Sequence, residues 1–338
     1  MLLYPERAYC GERTVADIGI TKESFLNAYP AGITLSRSDR EILRNLARRR
    51  ADGHKGSFGK VLLFAGSVGA PGAALLAGEA VLRSGAGMLQ LVSVRENREA
   101  VVTRLPEAMY QVLEENTDWD KMLKWCDAVV IGPGIGQERL PEESMKRILT
   151  LVSEKKLFKP IILDADGLNL TAASEEMFNL VKKYTASGGV VIMTPHMAEL
   201  ARLLHCGMQE LQRTRMEKVR QYVMESGAVL VSKDAATIVC YAEETGAFHY
   251  YINQTGNSGM ATAGSGDVLS GITGALAALA AVKQKENPED ISLKEIFFRA
   301  AYEAVYLHGL AGDIAAEKYG ETSMKAGDLI GALPELWK

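Results

Sequence analysis

The sequence predicts an α/β fold in which a mostly parallel central sheet is covered by helices on both faces. From Lys60 onward, short apolar runs alternate with longer stretches of helical pattern. Such alternation is typical of parallel strands joined by helices. Most of the apolar runs end directly in a glycine, an aspartate or a proline, as strands do where the chain turns. A chain of 338 residues can form one large α/β domain or two smaller ones.

Six apolar runs are the candidates for the parallel strands. Each is short and rich in valine, isoleucine or leucine, which suits strands buried on both faces. In chain order they are Val61 to Ala65, Leu89 to Val94, Ala128 to Ile131, Ile161 to Leu163, Val190 to Met193 and Val229 to Ser232.

A predicted β-hairpin and three helices complete the fold. The runs Thr237 to Tyr241 and His249 to Ile252 are separated by Glu243-Glu244-Thr245-Gly246, whose glycine suits a tight turn. Apolar residues at helical spacing then cover Val268 to Ala281 and Leu293 to Leu310, and a shorter helix follows near the C-terminus.

Composition favours a cytoplasmic protein with a small-molecule ligand. The formal net charge of -4 gives no reason to expect nucleic acid or an anionic membrane as a partner. Four cysteines lie far apart without a CxxC pair, so neither a zinc site nor a disulfide framework is expected. The apolar stretches are too short for an N-terminal signal peptide or a membrane span.

The turns after the predicted strands are the places where ligand-binding residues are expected, because open parallel sheets bind ligands beyond the carboxyl ends of their strands. Gly132-Pro133-Gly134 leaves little side chain at a strand end, which favours a ligand-facing turn. Asp164 and Asp166 carry oxygen ligands of the type that Mg²⁺ prefers, although aspartates at such positions also cap helices. The loop from Lys233 to Thr237 suits an adenine nucleotide held through backbone groups.

Histidines are weaker candidates than these turns. His196 follows a predicted strand, so a binding role and a structural role are both open. His205, His249 and His308 have no partners at metal-ligand spacing and are expected to be structural.

The segment from Asn257 to Asp267 is the strongest functional signal. Gly264 and Gly266 allow a sharp turn just before an apolar helix, so that amide groups and the positive helix end face an anion. Asp267 then lies in the first helical turn, where a carboxylate can take the proton of an attacking hydroxyl. The alternative is an aspartate that only caps the helix.

Two common nucleotide-binding motifs are absent from the sequence. No Gly-x-Gly-x-x-Gly follows a predicted strand, and no Gly-x-x-x-x-Gly-Lys-Ser/Thr occurs. Nucleotide binding must therefore use other loops.

Together the motifs resemble the ribokinase-like superfamily and, more closely, the ADP- or ATP-dependent NAD(P)H-hydrate dehydratases, the carbohydrate-kinase-like domain of YjeF proteins. The similarity covers residues 51–338 and follows the chain in order. It runs through His54-Lys55-Gly56, Gly66 to Ala73, Arg83 to Gly87, Pro106 to Met109, Gly132-Pro133-Gly134, Asp164-Ala165-Asp166, Thr194-Pro195-His196 and Thr255 to Asp267.

The resemblance implies a three-layer α/β/α fold and an ADP-dependent lyase reaction. ADP phosphorylates the C6 hydroxyl of the S-epimer of hydrated NADH or NADPH, and loss of phosphate restores NADH or NADPH and leaves AMP. Mg²⁺ is expected to accompany the diphosphate. A homotetramer is also implied.

Roles for individual residues follow from the same resemblance. Asp267 is the general base and a contact to the hydrate, and Gly264, Ser265 and Gly266 form the anion hole, with Gly266 also touching the nucleotide. The remaining positions are Ala73, Gly134 and His196 for the hydrate and Lys233, Asp234, Ala235, Ala236 and Thr237 for the nucleotide. Asp234 stands where the family commonly has glycine. No magnesium ligand is implied.

Residues 1–50 are predicted to be an appendage and linker. Leu2-Leu3-Tyr4 and Thr14 to Ile20 resemble the last strand and exit of the epimerase domain that precedes the dehydratase in bifunctional members. The chain is then a piece of such a protein, or the product of a gene that lost most of the epimerase. A longer reading frame would support the first hypothesis, and no epimerase activity is expected from the chain itself.

Other functions stay open at this level. An ATP-dependent vitamin or sugar kinase of the same superfamily would share the Gly-Ser-Gly-Asp segment but accumulate a phosphorylated alcohol. A non-catalytic nucleotide sensor would have no need of a base at Asp267. A nicotinamide-dependent oxidoreductase is the least favoured function, because the Gly-x-Gly-x-x-Gly loop typical of such enzymes is missing.

Overall fold

Ten strands form one sheet in the part of the chain that the computed structural model describes, residues 9–10, 32–33 and 49–338. They are β1 (Gly32–Ile33), β2 (Lys60–Phe64), β3 (Met88–Ser93), β4 (Met109–Val112), β5 (Ala128–Ile131), β6 (Ile161–Leu163), β7 (Val191–Met193), β8 (Val229–Ser232), β9 (Ile238–Ala242) and β10 (Phe248–Ile252). Their order is β1-β10-β9-β8-β7-β6-β5-β2-β3-β4. Neighbours from β8 to β4 pair in parallel, whereas β9 is antiparallel to β8 and β10.

Eleven α-helices lie in the same described ranges. They are α1 (Pro71–Arg83), α2 (Arg98–Arg104), α3 (Trp119–Trp125), α4 (Arg139–Glu154), α5 (Asp166–Ala173), α6 (Glu175–Ala186), α7 (Met197–Leu203), α8 (Met208–Ser226), α9 (Ser265–Glu286), α10 (Leu293–Tyr319) and α11 (Ala326–Leu336). Buried residues of α1, α2, α9, α10 and α11 join one hydrophobic core, and those of α3 to α8 join another.

The two cores lie on opposite faces of the sheet, because side chains alternate along each strand. In β2, Val61 and Leu63 belong to the first core, whereas Leu62 and Phe64 belong to the second, and all four are buried. A strand buried on both faces has to be apolar throughout, which explains the continuous apolar runs of the sequence. The predicted three-layer α/β/α arrangement is confirmed.

The predicted elements are present with small shifts at their ends. The six parallel strands and the hairpin strands begin or end within one residue of the predicted positions, whereas α9 and α10 are longer than expected. Strand β4 at the sheet edge was not predicted. Its residues are exposed or half-buried, so it has neither the apolar run nor the alternation that marks the other strands.

Helix α9 has the length and apolar composition of a membrane-spanning helix, so the expectation that every apolar stretch is too short for a membrane span is wrong. Of its most apolar window, 72% is nevertheless buried inside the protein, which is typical of a core helix. This burial fixes the position of its first turn, the predicted anion hole and base.

Part of the predicted appendage can be compared with the structure. Gly32 and Ile33 pair with Tyr250 and Tyr251 and extend the sheet beyond the hairpin. The segments Leu2 to Tyr4 and Thr14 to Ile20, which resemble the end of an epimerase domain, lie outside the described residues.

Candidate active site

Three neighbouring strands bring polar residues to one point at the carboxyl edge of the sheet. Asp164 follows β6, Thr194 follows β7 and Lys233 follows β8. Lys233 Nζ lies 2.7 Å from Asp164 Oδ1, and Thr194 donates its hydroxyl to the same oxygen at 2.8 Å. Ser270 of α9 donates to Asp164 Oδ2 at 2.5 Å. Both oxygens of Asp164 are therefore occupied, and this carboxylate holds Lys233 in place.

Asp267 lies in the first turn of α9 as a carboxylate without a partner. Within the described residues its side chain makes no hydrogen bond or ion pair. Burial raises its pKa to about 7, and the negative charges of Asp164 and Asp166 add to the rise, whereas Lys233 opposes it. A free carboxylate with a pKa near neutral pH is suited to take a proton from a hydroxyl.

The turn before α9 leaves amide groups free to bind an anion. Gly264 has a φ of 90°, a left-handed conformation that glycine adopts without strain. The amides of Gly266 and Asp267 have no backbone acceptor in the described part of the chain, as expected in the first turn of a helix. Lys233 lies beside them, since a β-carbon at Gly266 would be 3.3 Å from its Nζ. Free amides, the positive helix end and an ammonium group together suit a phosphate.

Ser265 is held by a histidine that the sequence analysis treated as structural. His308 of α10 is buried, and its Nε2 lies 3.2 Å from Ser265 Oγ. Burial lowers the pKa of His308 to about 4, so the ring is neutral at pH 7. His308 thus belongs to the site as a neutral hydrogen-bonding partner of the predicted anion hole. Only the packing of α10 against α9 reveals this role.

His196 caps the start of α7 and pairs with Glu199 in the same turn. Its Nδ1 accepts from the amides of Ala198 and Glu199, and its Nε2 lies 3.2 Å from Glu199 Oε1. Burial, followed by the charges of Lys233 and Arg202, lowers its pKa. The neutral ring is 52% exposed. Nδ1 is therefore engaged in the cap, while the half-exposed ring, with Nε2 beside Glu199, is accessible to a ligand.

The predicted nucleotide loop, Lys233 to Thr237, is anchored to α8 by an arginine that the sequence analysis did not identify. Arg215 of α8 is buried and donates through Nε and Nη2 to Ser232, at the end of β8. Its Nη1 lies 2.9 Å from Asp234 Oδ2. Thr237 closes the loop by donating to the carbonyl of Asp234 at 3.1 Å. Asp234, which replaces the common glycine, is therefore tied to the underlying helix.

A cavity of about 680 Å³ opens between this loop and the start of α9. Its lining comprises His196, the loop residues Lys233, Asp234, Ala235 and Thr237, most of residues 253–262, and Ser265, Gly266, Leu269, Val305, His308 and Gly309. Ala236 is buried in the core and does not line it. Its volume suits a nucleotide-sized ligand.

The wall formed by residues 253–262 is fixed by a buried acid. Asp313 of α10 accepts from the amide of Gly256 and from the side chain of Asn257, both at 3.1 Å. The sequence motif contained Asn257, but its partner lies in a distant helix.

Ala73 and Gly134 lie next to each other but do not line that cavity. A β-carbon at Gly134 would be 2.9 Å from the β-carbon of Ala73, so a larger residue at either position would clash. The same loop reaches the site through the amide of Gly136, which donates to Asp166 at 2.9 Å. Of the predicted hydrate-contacting positions, His196 thus lines the nucleotide cavity, whereas Ala73 and Gly134 lie outside it.

The donor chemistry near Asp267 fits a divalent cation bound through phosphates and water. Asp164, Asp166 and Glu199 all raise the pKa of Asp267, which reflects concentrated negative charge opposed by Lys233. In residues 49–338 and the two short described segments, no three histidine, cysteine or carboxylate side chains form a direct metal-binding group. These residues suit Mg²⁺, which commonly keeps several of its waters, better than a metal enclosed by protein ligands.

Comparison with known proteins agrees with the fold and identifies a family. The carbohydrate-kinase-type family described as NAD(P)H-hydrate dehydratase matches residues 61–335. The bifunctional NAD(P)H-hydrate repair enzyme Nnr of Moorella thermoacetica is 34% identical over 99% of this chain and 59% of its own length. The ADP-dependent (S)-NAD(P)H-hydrate dehydratase of Bacillus subtilis is 30% identical over 89% of this chain and 97% of that protein. The chain thus spans little more than half of the bifunctional relative.

A solved structure supports the same assignment. The ADP/ATP-dependent NAD(P)H-hydrate dehydratase of B. subtilis, co-crystallised with ATP and Mg²⁺, has a TM-score of 0.69 and 30% identity. The similarity covers 88% of this chain and 96% of that one. The predicted ribokinase-like fold is confirmed, and the small-alcohol kinase alternative is not favoured. By sequence, by fold and by family profile, the chain belongs to the NAD(P)H-hydrate dehydratase family.

Proposed function

We propose that the chain catalyses the ADP-dependent dehydration of the S-epimers of hydrated NADH and NADPH. The single observation that carries the proposal is Asp267, which has a pKa of about 7 and, among the described residues, no side-chain partner, beside amides at the start of α9 that have no backbone acceptor there. A base and an anion site in contact are what phosphoryl transfer to a hydroxyl requires. A nucleotide sensor would need neither a free base nor its raised pKa.

In the proposed first step, the C6 hydroxyl oxygen of the hydrate attacks the β-phosphorus of ADP. AMP leaves with the electron pair of the broken P–O bond, while Asp267 takes the hydroxyl proton. The amides of Gly266 and Asp267 and the ammonium of Lys233 stabilise the charge on the transferred phosphoryl group. Mg²⁺ bound to the diphosphate would face Asp164 and Asp166 through water and neutralise part of the same charge.

In the second step, phosphate leaves C6 with the electrons of the C–O bond. The departing phosphate takes a proton from C5 at the same time, which restores the C5=C6 double bond of NADH or NADPH. The exposed face of His196 and the small residues Ala73 and Gly134 are proposed to hold the nicotinamide portion. Lys233, Asp234, Ala235 and Thr237 are proposed to hold ADP, with Ala236 packed beneath them.

The experiment mixes the purified protein with hydrated NADH, Mg²⁺ and either ADP or ATP, and follows recovery of the reduced-nicotinamide absorbance. Recovery with ADP that Asp267→Asn loses supports both the reaction and its donor. A phosphorylated product that accumulates without recovery would support the kinase alternative instead.

Three further predictions belong to this proposal. We propose residues 51–338 as the dehydratase domain, with residues 1–50 preceding it. A homotetramer in solution is expected, and light scattering of the purified protein measures it. The cytoplasmic location also stays a prediction, which fractionation of the source cells would test.

A further inference from the structure

A second cavity, of about 700 Å³, lies beside the candidate active site and is separate from the nucleotide cavity. Its lining includes Gln137, Asn169 and Arg202, together with small side chains of α5 and α7. The reaction described above uses none of these residues. We propose that this groove binds a phosphate group of the dinucleotide hydrate, through Arg202. The inference rests on the proposed function, which supplies the dinucleotide substrate.

Three elements that carry residues of the active site also carry residues that line this groove. Gln137 lies three residues after Gly134, and Asn169 lies one turn along α5 from Asp166. Arg202 lies on α7, whose N-terminus is capped by His196. Six residues of helix place Arg202 about 9 Å beyond His196 along the helix axis. The groove is therefore lined by residues of the loop that follows Gly134 and of the helix that His196 caps.

The nucleotide cavity is lined by Lys233, Gly266 and His308, and by His196 as well. In the proposed reaction ADP occupies this cavity, so the part of the hydrate beyond its nicotinamide ring needs a second surface. Because His196 caps α7 and Arg202 lies on that same helix, the groove offers such a surface.

Arg202 has the charge and the free donors that a phosphate needs. Its Nη1 donates to Asn169 Oδ1 at 2.6 Å, and within the described residues no carboxylate forms an ion pair with it. Asn169 in turn lies 3.4 Å from Asp166 Oδ1, and Gln137 lies 3.3 Å from the same oxygen. Asn169 thus orients the guanidinium, whose remaining N–H groups can bind phosphate oxygens in a fork.

The test is steady-state kinetics of Arg202→Gln with hydrated NADH and hydrated NADPH. Loss of a charge-assisted hydrogen bond to a partly exposed phosphate is expected to raise the KM for the hydrate roughly tenfold. The kcat and the KM for ADP should stay unchanged, because the contact is remote from the reacting atoms and equal in ground and transition states. Arg104→Gln removes the same charge from the opposite face of the sheet and is the matched control.

Comparing hydrated NADH with hydrated NADPH distinguishes the two phosphate groups that Arg202 could bind, the diphosphate and the 2′-phosphate. An equal rise for both hydrates assigns Arg202 to the diphosphate that they share, and a rise confined to hydrated NADPH assigns it to the 2′-phosphate. A wild-type KM for both hydrates overturns the inference and leaves the proposed function standing. If the wild-type protein turns over neither hydrate, direct titration of the protein with NADPH tests the groove independently of the proposed function. Tenfold weaker NADPH binding by Arg202→Gln than by Arg104→Gln supports the groove, and equal binding overturns it.

Discussion

Replacing Asp267 by asparagine is expected to stabilise the folded protein at high pH while removing activity. The pKa of Asp267 is about 7 in the folded protein, against 3.8 for an unperturbed aspartate. Because the folded state binds this proton more tightly, the stability it contributes is complete below the unfolded pKa and is lost as pH rises through about 7. The full shift corresponds to about 4 kcal/mol above pH 7. Since the carboxylate keeps some solvent contact, we expect about half of that value.

Urea denaturation of both proteins at about pH 5 and about pH 8.5 measures the effect. Asp267→Asn should be more stable than wild type by about 2 kcal/mol at the higher pH and by a smaller amount at the lower one, because pH 5 lies between the unfolded and folded pKa values. Asparagine has nearly the same shape, and no hydrogen bond is lost. The dehydration rate should fall by a factor on the order of 10² to 10⁴. A stability difference that is absent, reversed or equal at both pH values would refute the electrostatic reasoning.

Asp234→Asn is the matched control, because it also removes one carboxylate charge near the site. Asp234 is paired with the buried Arg215 at 2.9 Å. Its neutralisation leaves the guanidinium without a counter-ion, so we expect a loss of about 1 to 3 kcal/mol at both pH values. The two substitutions remove the same charge, but Asp267→Asn is expected to stabilise the folded protein and Asp234→Asn to destabilise it.

Three further variants test the same site. Lys233→Met removes the charge that lowers the pKa of Asp267, so the rising limb of kcat/KM against pH should move to higher pH. Asp166→Asn removes a charge that raises this pKa, and the limb should move to lower pH; an unchanged limb in both profiles would contradict the assignment of the base. Gly264→Ala puts a β-carbon 2.4 Å from Leu76 at a positive φ, which should cost about 1 to 3 kcal/mol in denaturation experiments and lower kcat. A wild-type kcat in that variant would exclude the proposed anion hole.

The parts of the fold and site that could be predicted are those encoded by local physics. Strands buried on both faces have to be continuous apolar runs, so β2 and β5 to β8 were visible in the sequence. The Gly264 to Asp267 segment was visible because glycine conformations and helix starts depend on adjacent residues. Strand β4 lacks that local signal, since its pairing partner and its half-buried position depend on the rest of the sheet.

The residues that sequence reasoning missed act across distant segments. Arg215 meets Ser232 and Asp234 only because α8 packs beneath the end of β8. His308 reaches Ser265 only because α10 packs against α9. A lone arginine or histidine in a helix gives no sign of either contact, and the cavity wall formed by residues 253–262 likewise depends on Asp313.

The position of a single lysine decides which carboxylate of the site is suited to act as a base. Lys233 could approach either Asp164 or Asp267, since it lies within electrostatic reach of both. The hydroxyls of Thr194 and Ser270 already donate to Asp164, so pairing the ammonium there completes a buried hydrogen-bonded ion pair. Asp267 is left without a partner, and its pKa rises. Direct pairing with Lys233 would instead lower that pKa and weaken the base. Two hydroxyl groups at distant positions in the sequence therefore help to determine the acid–base character of the site.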